Sequence, residues 1–121
     1  MATSVHIVFD CADPDKLATF WAAALHYKKQ VPPSAIVDPD GTGPRISFQQ
    51  VPERKTVKNR VHLDLNIGGG FGTPQDERRS RIDAEVDRIV RLGARQARTV
   101  EERGGYFVNM FHPEGNEFDV H

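Results

Sequence analysis

Val61-His62-Leu63-Asp64-Leu65-Asn66-Ile67 alternates strictly between apolar and polar side chains, the period-two pattern of a strand with one buried face. An earlier stretch, Val5-His6-Ile7-Val8-Phe9-Asp10, opens in the same way, with Val5, Ile7 and Phe9 on one side and His6, Val8 and Asp10 on the other. A helix signal follows each, so the chain reads as one motif written twice, with His6 and His62 as symmetry mates. A duplicated strand-helix unit can aim both imidazoles into one cavity, where they could share a metal ion.

Working outward from the first strand, Asp13 before Pro14 reads as an N-cap followed by a residue suited to the first helical turn. Leu17, Phe20, Trp21, Ala24 and Leu25 form one apolar stripe, and the helix is expected to end near His26, whose charge would face the carbonyl end. Short strands are predicted over 27–31 and 35–37, split by Pro32-Pro33, and again over 45–51 beyond the turn Asp38-Pro39-Asp40-Gly41. In the second half, Gly68-Gly69-Gly70-Phe71-Gly72-Thr73-Pro74 reads as a crossover loop that lacks the Gly-Lys-Ser/Thr ending of a phosphate loop. Ile82, Val86, Ile89 and Val90 mark an amphipathic helix ending at Leu92-Gly93. Strands are predicted over 95–100, 106–111 and 117–121, so the order is strand-helix-strand-strand-strand, twice, in an α+β chain.

The length of 121 residues suits a single domain. Sixteen basic against 17 acidic groups leave a net charge of -1, which argues against nucleic acid or an anionic membrane as partner. The local basic groups Arg54-Lys55, Lys58 with Arg60, and Arg78-Arg79 with Arg81 read as solvated faces. Cys11 is the only cysteine, which excludes an intramolecular disulfide and a cysteine-based zinc motif. With no leader-like start and no long apolar run, a cytoplasmic location is expected.

Three strands share a polar face: His6 and Asp10, then His62, Asp64 and Asn66, then Glu117, Asp119 and His121. A solvated face normally carries Lys, Thr, Ser and Gln, whereas His and carboxylates gathered together repel or compete unless a cation or a substrate proton joins them. Two imidazoles and one carboxylate make a facial set that holds a divalent metal and leaves positions open. On strand faces alone, Glu117 and Asp119 are equal candidates for the carboxylate.

Three segments carry a resemblance: His6-x3-Asp10-x2-Asp13 leading into Phe20-Trp21; Lys58-Asn59-Arg60-Val61-His62-Leu63-Asp64; and His112-Pro113-Glu114-Gly115-Asn116-Glu117-Phe118. Together they resemble a glyoxalase-like domain of the vicinal oxygen chelate superfamily, which includes glyoxalase I, bleomycin-resistance proteins, fosfomycin-resistance transferases and extradiol dioxygenases. The resemblance implies two βαβββ modules in tandem, about 1–57 and about 58–121, with a curled mixed sheet enclosing a cavity and the helices on its outer face. It implies metal ligands at His6 and His62, and counting four residues from Gly115 places the third at Asp119. Ser47 stands where glyoxalase I carries a further carboxylate, so the likeness is to the domain and not to that enzyme. No lysine or arginine is expected on the cavity face to meet a phosphonate.

The implied activity is metal-dependent lyase, isomerase or dioxygenase chemistry on a small molecule chelating through adjacent oxygens, with zinc, nickel, manganese or iron as the ion. Glu117 and His121 are the expected proton carriers. Asp10, Asp64, Asn109 and Phe107 are expected to line the substrate, with Phe111 as apolar wall. The alternative is a metal-free protein that sequesters a drug or metabolite in the same cavity, as bleomycin-resistance members do. In either case the resemblance implies a homodimer.

Overall fold

The computed structural model describes residues 1–30, 34–102 and 105–121. The chain divides into two compact units, Met1–Arg54 and Lys55–His121. In the first lie β1 (Ile7–Cys11), α1 (Pro14–Leu25), β2 (Lys28–Gln30), β3 (Ala35–Val37) and β4 (Ile46–Gln50); in the second, β5 (Asp64–Leu65), α2 (Gln75–Arg91), β6 (Arg95–Glu102), β7 (Gly105–Phe111) and β8 (Glu117–Val120). The strand orders β1-β4-β3-β2 and β5-β8-β7-β6 are the same pattern, first-last-third-second. In both units the first strand pairs parallel with the last and the other pairings are antiparallel. The duplication is therefore one of topology as well as of sequence, and the α+β, two-module architecture is the one expected.

In the first unit the stripe on α1 buries Leu17, Phe20, Trp21 and Ala24. Phe9 of β1 stacks on Trp21 at 6.0 Å and on Phe48 of β4 at 5.9 Å, so the apolar side of β1 faces the helix and Val8 and Asp10 face away. The Asp13 side chain accepts the Lys16 backbone N–H at 3.1 Å, with Pro14 opening the helix. His26 ends α1 in the left-handed region at φ 57° while its own N–H reaches Ala22 O, so backbone geometry closes the helix at the residue expected.

In the second unit α2 presents Ile82, Val86 and Ile89 to Val108 and Met110 of β7 and Phe118 and Val120 of β8, all buried. Val90 lies outside that stripe and is 42% exposed, because the helix narrows its buried side to one row. Gly93 takes φ 118°, a conformation that favours glycine, where the chain leaves the helix.

The strand predicted over the whole of Val61-Ile67 is reduced to Asp64–Leu65. It lies at the edge of its sheet, where Leu63 O and Leu65 O accept from the Asp119 and His121 N–H groups at 2.9 and 2.8 Å. Upstream, Val61 is exposed and its carbonyl accepts from Asn59 Nδ2 at 2.7 Å, a side-chain bond in place of a ladder. β1 likewise begins at Ile7, leaving Val5 exposed. The strand predicted over 27–31 is seen as Lys28–Gln30; Val31, Pro32 and Pro33 lie outside the described residues. Among the described residues no helix is long and apolar enough to cross a membrane.

Candidate functional site

The second sheet sorts its side chains cleanly. Phe118, Val120, Tyr106, Val108 and Met110 are buried on the helix side, which leaves Glu117, Asp119 and His121 of the last strand and Phe107, Asn109 and Phe111 of β7 on the other. The register sets Asp64 opposite Asp119, and Asn109 opposite Asp119 from the other flank, so three polar side chains stand in a row across β5, β8 and β7.

Asp119 is the buried member, 7% exposed. A carboxylate so enclosed needs partners, and Asn109 Nδ2 donates to its Oδ1 at 2.8 Å. Its Oδ2 lies 3.7 Å from His62 Nδ1 and 3.8 Å from His121 Nε2. His62 Nδ1 also meets Asp64 Oδ1 at 2.7 Å, and His121 Nε2 lies 3.4 Å from Asp64 Oδ2. Two carboxylates and two imidazoles thus face a common centre.

One atom of each of His62, Asp64 and Asp119 falls within 4.8 Å of the others, the one such group of metal-ligating side chains among the described residues. His121 Nε2 is buried beside it and makes no hydrogen bond. An orphaned nitrogen next to two carboxylate oxygens, with a mixed nitrogen and oxygen donor set, fits a borderline divalent cation. The ring of His121 is held by parallel stacking on Phe107, centroids 4.6 Å apart.

The predicted residues thus separate into groups. His62, Asp119, Asp64, Asn109, His121 and Phe107 come together in the second unit. Glu117 shares their sheet face but is engaged elsewhere: its carboxylate pairs with Lys58, and Asn59 Oδ1 accepts its N–H at 2.8 Å. His6 and Asp10 belong to the first unit, where His6 Nε2 lies 3.0 Å from Ser47 Oγ and Asp10 is exposed opposite Gln49.

Cationic groups were not expected on this face, yet two arginines join it. Arg95 pairs with Phe111 in the register and lies over its ring at 4.8 Å, and Arg98 pairs with Asn109. The intervening irregularity at 96–98 resets the alternation, so counting by twos along β6 misassigns its faces. Only the pairing itself could have found them.

No curated protein sequence matches the chain. Among solved structures, the fosfomycin resistance protein FosX from Listeria monocytogenes is similar at 13% identity with a TM-score of 0.74, covering 100% of this chain and 93% of that one. A variant of Listeria FosX complexed with Mn(II) and 1S,2S-dihydroxypropylphosphonic acid is similar at 15% identity and TM-score 0.73, covering 100% and 90%. A glyoxalase/bleomycin resistance protein/dioxygenase family enzyme from Burkholderia phytofirmans PsJN is similar at 14% identity and TM-score 0.69, covering 95% and 94%. At such identities these likenesses concern the fold. The model of the glyoxalase-like domain matches residues 6–121, nearly the whole chain, and with the two βαβββ units it establishes that this protein belongs to the glyoxalase-like domain family of the vicinal oxygen chelate superfamily.

Proposed function

We propose that the protein is a metal-dependent small-molecule enzyme of the vicinal oxygen chelate type, acting by lyase, isomerase or dioxygenase chemistry on a substrate with adjacent oxygens. The observation that carries the reading is the convergence of His62, Asp64 and Asp119 beside the orphaned His121 nitrogen. A divalent zinc, nickel, manganese or iron ion there would polarise the chelating oxygens and stabilise negative charge developing on them.

The chain's own groups have separable tasks. His62, Asp64 and Asp119 are the groups that would hold the ion, and the family resemblance adds His6 as a further ligand. Asn109 fixes the Asp119 carboxylate through the 2.8 Å hydrogen bond, the second-tier contact that orients a ligand. His121 is the proton carrier: its Nε2 is beside the cluster without a hydrogen bond of its own, and Phe107 holds its ring plane. Glu117, paired with Lys58, serves as a charge neighbour to the site, and Asp10 remains a substrate contact on the resemblance.

The test is metal content of tag-free protein by mass spectrometry, followed by Mn(II) titration of the chelator-stripped form. Wild type should take up about one ion per chain, with His62→Ala and Asp119→Ala losing it; His6→Ala tests the resemblance-derived ligand separately. Absence of site-dependent metal in every preparation would refute the reading. Sedimentation at micromolar concentration checks the homodimer the resemblance implies, and fractionation checks the proposed cytoplasmic location.

A metal-free ligand-sequestering role is favoured by one observation, that His62 with Asp64 and Asn109 with Asp119 already meet in pairs at 2.7 and 2.8 Å without an ion between them. Ligand-induced thermal stabilisation that persists in chelator would select it.

A further inference from the structure

The polar face of the second sheet is electrically graded. Asp64 and Asp119 hold negative charge on β5 and β8, Phe107, Asn109 and Phe111 cross the middle on β7, and on β6 Arg95 and Arg98 stand opposite Phe111 and Asn109, with Glu102 farther along at the strand end opposite Gly105. Elsewhere in the unit Arg79 pairs with Glu101 at 2.5 Å, Arg81 with Glu77 at 2.5 Å and Arg88 with Glu85 at 2.5 Å, while Arg95 lies on the Phe111 ring. Arg98 has no ion pair, side-chain hydrogen bond or ring contact among the described residues, and it stands directly opposite the Asn109 that holds Asp119. Val100 stands opposite Phe107, so beside the arginine the face continues as an apolar floor.

We infer that Arg98 is the specificity residue for an acidic substrate, a planar acid whose oxyanion meets the guanidinium while its chelating oxygens meet the carboxylate and imidazole cluster. This rests on the proposed function and names the substrate class for the same site. Arg98 and Asp119 are two strand spacings apart, which sets the acid roughly 10 Å from the chelating end. A guanidinium offers two parallel N–H groups to a carboxylate or phosphonate, a match that lysine lacks. The gradient also fixes orientation, since Asp64 and Asp119 repel an acid placed at their end. Asn109 lies between the two ends, and Phe107, with one ring face on His121, adds apolar wall beside it.

Caffeate is the probe, with adjacent oxygens at one end of a planar body and a carboxylate at the other; its methyl ester keeps the shape and loses the charge. Calorimetric affinities are measured for both, in EDTA and again with MnCl2. Arg98→Gln is expected to weaken caffeate by about tenfold or more, the range of a hydrogen bond to a charged group, and to leave the ester unchanged. Arg98→Lys should recover part of the loss. Equal effects on acid and ester, no effect on either, or no saturable caffeate binding in both conditions would overturn the assignment. The acid-against-ester contrast read in EDTA does not depend on the ion, so it can stand where metal uptake fails and fail where metal uptake stands.

Discussion

Replacing Asp64 with Asn should move stability and metal affinity in opposite directions. In the protein without an ion, the Asp64 and Asp119 oxygens lie within 4.8 Å of one another. Two full charges at that distance repel by about 3 kcal/mol at an effective dielectric of about 20, and by about 1 kcal/mol in water. Asp64 is 42% exposed at its side chain, so solvent screening places the relief near the lower figure, about 1 kcal/mol. Asn keeps a side-chain oxygen to accept from His62 Nδ1, so the 2.7 Å contact need not be lost. Over 121 residues, about 1 kcal/mol corresponds to a rise of about 4 °C in Tm. The assay is calorimetric unfolding in EDTA above the imidazole titration range, repeated at high salt, where the gain should shrink. In parallel, Mn(II) titration should show affinity lower by at least about tenfold, the scale on which disturbing the ligand environment acts. A fall in the EDTA Tm, or unchanged Mn(II) affinity, would refute the view that these carboxylates are held together for a cation.

Two further outcomes follow from groups outside the cluster. His112 is buried at the β7–β8 turn, and loss of solvation lowers its pKa below the ordinary 6.5, while its Nδ1 accepts the Glu114 N–H at 3.0 Å. Its folded pKa being the lower one, its stabilising contribution is present above pH 6.5 and is lost as pH falls through the folded value; urea midpoints should drop on acidification, and His112→Asn should flatten that part of the slope. His26→Gly should raise the unfolding free energy by under about 1 kcal/mol, read as a higher urea midpoint, because φ 57° costs a side-chain-bearing residue about 1–2 kcal/mol and glycine returns part of that gain as chain entropy; a lower midpoint would show the imidazole to be the stabilising part of the cap.

The alternation at 61–67 and the stripes at Leu17–Ala24 and Ile82–Ile89 were sufficient to read the repeated strand-helix-strand-strand-strand order, because burial of one face imposes a period on the residues. Asp13-Pro14 and Leu92-Gly93 marked helix ends through chemistry local to a few residues. Strand lengths were less legible: the ladder partners of Leu63 and Leu65 are the distant N–H groups of Asp119 and His121, and an edge strand ends where its partner ends.

The sequence by itself determined which residue types face away from the helices, and with them His62, Asp64, Asn109, Asp119 and His121 as members of one polar face. Tertiary structure decided which of them meet: Glu117, equal to Asp119 by periodicity, is drawn to Lys58, while Asp119 is enclosed by Asn109 and two imidazoles. It also decided that Arg98 stands across from Asn109, since a bulge shifts the register without leaving a mark in the alternation. Periodicity is a property of one strand, whereas a site is made by the pairing of several, and pairing is settled only when the whole sheet is assembled.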